Sequence, residues 1–202
     1  MYQFKIEADA QGEILRFRDA VLARVETNLN MDDISEENLQ EAAAGLPLLP
    51  IDLEHKETII VGMFTDATVK NKSLITSGII YASRFPKVVE GFVNETNFLS
   101  IEGLAQQTSC PVCNKVYASR ADYCEHLTAS VFVRRKNGWK RKLHGFIPRG
   151  GGITSRPAGS RTVFNTRKMS IIASEETETA EVIFLRELNY KLQKYGYKIV
   201  EV

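Results

Sequence analysis

The chain has no stretch near the ~20 consecutive apolar residues that a membrane-spanning helix requires. Residues 1–10 mix polar and apolar side chains and lack a signal-peptide core, so a secreted or membrane-spanning protein is not expected. Cysteine is scarce: three in 202 residues, too few for a disulfide scaffold. Histidine is equally scarce, with only His55, His126 and His144, which leaves few choices for any imidazole chemistry. Repeats and low-complexity tracts are missing. Apolar residues make up 44% and charged residues 25%, a globular mixture long enough to bury a core without covalent help.

Charge is unevenly spread behind a net value of +1. Residues 1–60 carry 13 acids against 5 bases. From Thr128 to Ser174 there is no acid, and 11 Lys and Arg lie between Arg134 and Lys168. Such a segment, residues 134–168, can meet DNA or acidic protein segments, or it can be a solvated loop balanced elsewhere.

Periodicity predicts a β-rich α+β fold with helices at its margins. Tyr2, Phe4 and Ile6 alternate as a strand, and residues 13–27 read as extended structure. Ser35 caps a helix that runs to Ala44 and stops at Gly45, with Glu36 and Glu37 in the first turn where the helix dipole favours acids. Pro47 and Pro50 impose an extended approach to Ile51–His55. Residues 58–68 and 74–83 form a strand pair around Lys70-Asn71-Lys72, Pro86 opens a short helix, and residues 97–102 make another strand. Residues 130–135 and 143–147 read as strands around a turn at Asn137-Gly138, and Gly150–Arg161 as a loop. Ser174 caps a final helix with Ala180, Ile183, Phe184, Leu188, Leu192 and Tyr195 on one face; Gly196 ends it, and residues 197–202 extend.

All three cysteines fall within 15 residues, as Cys110, Cys113, Cys124 and His126 in the pattern C-x2-C-x10-C-x-H. The Cys-Pro-Val-Cys knuckle aims two thiolates at one point, and the later pair can close the tetrahedron that Zn2+ prefers. Four protein ligands leave no open position, so the expected zinc is structural. The rival readings are a redox CxxC pair and a chance cluster of reduced thiols.

With His126 in that cluster, His55 and His144 remain. In Asn97-Phe-Leu-Ser-Ile-Glu102 the apolar residues point one way and Ser100 and Glu102 the other. A serine becomes a nucleophile with a base in reach, and His55 can be that base if the fold brings it near.

The order of these features resembles the tailed-phage prohead (capsid maturation) proteases, which share a fold with the herpesvirus assemblins. The resemblance rests on Asp33–Pro47 leading to Pro50-Ile-Asp-Leu-Glu-His55, then Ile59-Ile-Val-Gly-Met-Phe64, then Asn97–Glu102, and spans roughly Asp33 to Gly159. It implies an assemblin-like barrel with peripheral helices over a single domain, residues 1–202, carrying a zinc-knuckle insert at 105–128. It implies a serine endopeptidase with Ser100 as nucleophile and His55 as base. The third member is His144, with Glu102 as runner-up for sharing Ser100's strand face and Asp52 as a further choice. The segment Ile153–Gly159 resembles the family's oxyanion loop, with Arg156 near the hole. The implied substrates are phage scaffold and capsid proteins, met inside a prohead or virion in the host cytoplasm. Two other readings are a phage structural protein that kept the fold without the chemistry, and a zinc-bearing nucleic-acid-binding module.

Overall fold

The computed structural model describes residues 5–8, 14–93 and 97–159. The predicted C-terminal helix and strand, and the basic residues beyond 159, lie outside the described residues. In chain order the elements are β1 (Lys5–Ala8), β2 (Leu15–Arg24), β3 (Glu26–Thr27), β4 (Asp32–Ile34), α1 (Glu36–Gly45), β5 (Pro50–Leu53), β6 (Lys56–Lys70) and β7 (Ser73–Ile80). There follow α2 (Pro86–Val93), β8 (Phe98–Cys110), β9 (Lys115–Tyr117), a 3-10 turn at Arg120–Asp122, α3 (Glu125–Thr128), α4 (Val131–Asn137) and β10 (Arg141–Thr154). The molecule is thus sheet-rich with few helices, and no described helix is long and apolar enough to cross a membrane.

Ten strands join one mixed sheet in the order β1-β2-β7-β6-β5-β10-β4-β3, with β8 branching from β10 and β9 from β8. β10 is the hub: it runs parallel to β4 and β5 and antiparallel to β8. The β6–β7 hairpin closes through Asn71 and Lys72, both at positive φ, the primed-turn geometry that matches strand twist.

The core lies where one face of this sheet meets α1 and α2. Leu22, Val61, Phe64, Leu74, Ile80, Leu99 and Ile153 are completely buried, together with Leu46 just past α1. Burying side chains of this size stabilises the fold by roughly 1.5–3 kcal/mol each. α1 begins at Ser35 with a reciprocal capping box: the Asn38 N–H donates to Ser35 Oγ, and the Ser35 N–H donates to Asn38 Oδ1. Its end differs from expectation. Gly45 is the last helical residue and Leu46 the cap, in right-handed conformation; a Cβ on Gly45 would meet the Pro148 ring at 2.7 Å. Gly45 is there for close packing on β10, not for a left-handed stop.

Two more expectations change. Residues 130–135 form helix α4, not a strand: Ser130 caps it, accepting from the Val133 N–H, and Gly138 ends it at φ +67. Asn137-Gly138 is therefore a helix terminus, a signal that Asn-Gly shares with hairpin turns. Gly150–Gly152 is strand, not loop. A Cβ on Gly151 would press on the Phe64 ring at 2.9 Å, so these glycines let the backbone pass under neighbouring rings.

Candidate active site and metal centre

His55 is fixed by a two-residue turn. β5 ends at Leu53, β6 starts at Lys56, and Leu53 pairs with Lys56. Glu54 and His55 between them have φ of 55° and 56°. Primed turns favour Gly and Asn at such positions, and other residues there are strained by about 1–2 kcal/mol each. Surrounding contacts hold the turn in place. The Glu54 N–H donates to the Ile153 carbonyl at 2.8 Å. The Glu54 carboxylate accepts from the Ser155 N–H and from Thr154 Oγ1, both at 3.0 Å. The Ser155 N–H is the main reason the Glu54 carboxyl lies below its ordinary range.

Across the sheet, Ser100 on β8 pairs with Gly152 on β10, and Gly152 pairs with Asp52 on β5. Three residues thus stand in one row on three adjacent strands, roughly 4.8 Å apart. Paired residues face the same side, so Ser100 and Asp52 flank the space above Gly152, while the next pair, Leu99 and Ile153, enters the core. The His55 ring fills that space: a Cβ on Gly152 would stand 2.6 Å from its Nδ1, 2.8 Å from its Cε1 and 3.0 Å from Asp52 Oδ1. A side chain on this residue forces the imidazole to shift.

Glu102, two residues after Ser100 on the same face, puts Oε1 at 2.6 Å from His55 Nδ1. An ionised carboxylate only accepts, so in this contact Nδ1 is the donor and Nε2 is the ring nitrogen left to exchange a proton. Asp52 completes the group, with its carboxyl oxygen, the His55 nitrogen and the Glu102 oxygen within 4.8 Å of one another. It is 2% exposed, and its Oδ1 has no hydrogen-bond donor. Burial, followed by the charge of Glu102 and a hydrogen bond shared with it, lifts its carboxyl to about 6; the His55 charge and backbone N–H oppose the rise. A proton on Asp52 gives the pair a donor, with Glu102 as acceptor.

His144 is elsewhere. It pairs with Gln107, and its Nε2 lies 2.9 Å from Ser109 Oγ. Seven residues of strand separate Gln107 from Ser100, about 23 Å of extended chain. The structure brings Glu102 and Asp52 to His55 and leaves His144 on the Ser109 hydroxyl. Pro148–Gly152 intervenes as part of β10, with a register shift between Pro148 and Gly150, so a histidine near in sequence is remote along the strand. In the segment Ile153–Gly159, the Ser155 N–H serves Glu54 and the Arg156 N–H donates to Thr154 Oγ1 at 3.1 Å. Neither of these two donors is free for an oxyanion. The Arg156 side chain lines the cavity over Ser100 and His55, a space of about 1110 Å3.

The cysteine cluster assembles as its spacing predicts. Cys110 ends β8, and the chain reverses through Asn114 at φ +56, so that Lys115 pairs back on Cys110. Cys124 caps α3, which carries His126. The four ligand atoms lie within 4.8 Å of one another, and Cys113 and Cys124 Sγ are 3.5 Å apart. Burial raises the Cys110 thiol. Burial also opposes Cys124 ionisation, yet hydrogen bonds from Tyr117, Leu127 and His126 bring that thiol down to about 6. Most telling is His126 Nδ1, buried with no hydrogen-bond partner beside three thiols, a nitrogen that a metal ion could take up. The His126 ring meets Trp139 edge-on, centroids 4.7 Å apart. Sulfur and imidazole donors at this count fit Zn2+ with no position left open. Residues 105–110 of the expected insert belong to β8 itself, and Arg134 of the basic stretch is buried, its Nε on the Ala129 carbonyl.

No protein-family model and no curated protein matches the chain. Among solved structures, the protease of varicella-zoster virus aligns with a TM-score of 0.37 and 10% identity, covering 93% of this chain and 81% of that one. At that level of similarity the chemistry of the site rests on its own geometry.

Proposed function

We propose that the chain is a serine endopeptidase in which Ser100 is the nucleophile, His55 the general base and Glu102 the residue that orients His55. The observation that carries this reading is the His55 Nδ1–Glu102 Oε1 contact of 2.6 Å beside the strand position of Ser100. With the proton held on Nδ1, His55 Nε2 takes the proton of Ser100 Oγ as that oxygen attacks a peptide carbonyl carbon. The Glu102 carboxylate stabilises the imidazolium so formed. His55 then returns the proton to the amide nitrogen as the C–N bond breaks. Water, deprotonated by the same Nε2, attacks the acyl ester and releases a carboxylate and free Ser100.

Zn2+ in the Cys110–Cys113–Cys124–His126 site is structural in this reading: it fastens the chain between β8 and β10 and takes no part in the chemistry. The order of motifs that resembles the prohead proteases supports scaffold and capsid proteins of an assembling phage head as substrates. The test is a fluorophosphonate probe followed by intact mass, run on the parent chain and on Ser100→Ala. A single adduct on the parent that is lost in the variant is expected. Equal labelling of both, or none with either, overturns Ser100 as nucleophile.

A further inference from the structure

The cavity over Ser100 and His55 is walled on its far side by the cysteine module: Tyr117, Ser119, Arg120 and Tyr123 face the same space as the proposed nucleophile. The module is tied to the sheet beside that space, since Tyr123 Oη donates to Thr108 Oγ1 at 2.8 Å. At about 1110 Å3 the space exceeds the roughly 300–1,000 Å3 typical of small-molecule pockets, which suits a polymer.

Its charge is lopsided. Six arginines line it against four carboxylates, Glu26, Asp32, Glu57 and Glu102; of these, Glu102 is occupied with His55, Asp32 pairs with Arg141, and Glu57 approaches Arg149 at 3.9 Å. Arg120, Arg135 and Arg156 are exposed, line the same wall space and have no carboxylate partner among the described residues. Arg135 donates to the Leu29 carbonyl at 2.7 Å, which aims its guanidinium without neutralising it. Three guanidinium forks around one cleft, one of them aimed by the Leu29 carbonyl and two reaching freely into solvent, match the geometry of carboxylates. The backbone favours a peptide over an oligonucleotide. β8 pairs with β10 along one edge, but on its other edge only Thr108–Cys110 are paired, with β9. Phe98–Gln107, which includes Ser100, therefore has no strand partner on that edge among the described residues.

We propose that the cleft between Ser100 and the cysteine module binds an extended peptide segment rich in Asp and Glu, whose carboxylates are read by Arg120, Arg135 and Arg156. The inference rests on the endopeptidase reading for its purpose but not for its measurement. Selectivity for acidic segments comes from charge and geometry in the cleft, and the cysteine module becomes a specificity wall as well as a fastening.

The experiment measures binding without cleavage. Zinc-loaded Ser100→Ala is titrated into three fluorescein-labelled 12-residue peptides by anisotropy: one acidic, one with every Asp and Glu replaced by its amide, and a basic one. A single-stranded oligonucleotide of equal charge is the fourth probe. The acidic peptide is expected to bind at least tenfold more tightly than its amide counterpart, and to weaken steeply with salt. Arg120→Glu and Arg156→Glu should each weaken it about fivefold or more. Lys142→Glu, an exposed change of equal charge that does not line the cleft, should leave it within about twofold and controls for net charge. Equal binding of acidic and amide peptides overturns the proposal, as does insensitivity to both Arg substitutions. An oligonucleotide that binds as tightly and with the same Arg dependence overturns it in favour of a general polyanion site. If the acidic peptide binds as expected but the parent chain never takes the fluorophosphonate, the endopeptidase reading fails and the cleft stands.

Discussion

The His55 imidazole occupies the space that a side chain at Gly152 would fill. The clearance is fixed by the row Ser100, Gly152, Asp52 across β8, β10 and β5. Gly152→Ala places a methyl group 2.6 Å from Nδ1, so the ring must move. The backbone there needs no unusual φ, and the substitution leaves the Leu99–Ile153 core pair intact. A displacement of about 1 Å in a reacting group can cost roughly 10²-fold in rate. Gly152→Ala is therefore expected to retain its circular dichroism and lose about 10²-fold in fluorophosphonate labelling rate. Unchanged labelling removes His55 from the chemistry.

Glu102 and His144 give opposite expectations. Glu102→Gln keeps the size of the side chain but offers Nδ1 an amide that can present either its oxygen or its NH2, so the tautomer is no longer enforced. Loss of such an orienting carboxylate costs on the order of 10²–10⁴ in kcat. His144→Ala removes the contact with Ser109 Oγ, at a position paired with Gln107 and so about 23 Å of strand from Ser100. It should change the labelling rate by less than about threefold. Comparing the two variants at saturating probe checks both, and a large loss in His144→Ala with none in Glu102→Gln reverses the assignment.

The alternation Leu99, Ser100, Ile101, Glu102 was enough to put Ser100 and Glu102 on one face, because side-chain direction in a strand follows from period two alone. The knuckle and the Ser35 cap were legible for the same reason: each is a local geometry with its own residue signature, though the Asn38 half of the capping box was not legible. What the sequence could not disclose was which strands become neighbours. His144 appeared suitable as an imidazole on a strand, but strand register, not residue type, decides distance, and β10 pairs His144 with Gln107. The contribution of Gly152 was hidden likewise. Three consecutive glycines signal a loop until a ring is seen to lie against them. The Val131–Val133 run failed through ambiguity, since β-branched residues favour strands while Ser130 and Gly138 cap a helix equally well.

Asp52 makes stability depend on pH with a sign opposite to that of most carboxylates. Its carboxyl is raised from 3.8 to about 6 in the folded chain, chiefly by burial and then by Glu102. The folded state therefore binds this proton more tightly than the unfolded state does. The associated stabilisation is fully present below about pH 4 and is lost as pH rises through about 6. Asp52→Asn holds a neutral donor beside Glu102 at every pH. It should flatten the dependence between about pH 4 and 6, and leave the variant more stable at pH 7.5 by on the order of 1–3 kcal/mol. Urea unfolding at pH 4, 6 and 7.5 measures this. A variant less stable than the parent at pH 7.5 shows that Asp52 stabilises as an anion.

Trp139 is the only tryptophan, and its ring meets His126 at 4.7 Å, so indole fluorescence reports on the metal site directly. Zn2+ held by this cluster would fix the His126 ring, whose Nδ1 has no hydrogen-bond partner, and chelation would release it. Removal of zinc should shift Trp139 emission and lower the thermal midpoint, because the segment between β8 and β10 has only a short hairpin and brief helices to order it. Cys113→Ser should reproduce the apo spectrum even with zinc present. The site is expected to bind one Zn2+ per chain by elemental analysis. Full-length protein that binds no zinc, with Trp139 emission and thermal midpoint indifferent to chelator, would leave His126 Nδ1 satisfied by something other than a metal and end the structural-zinc reading.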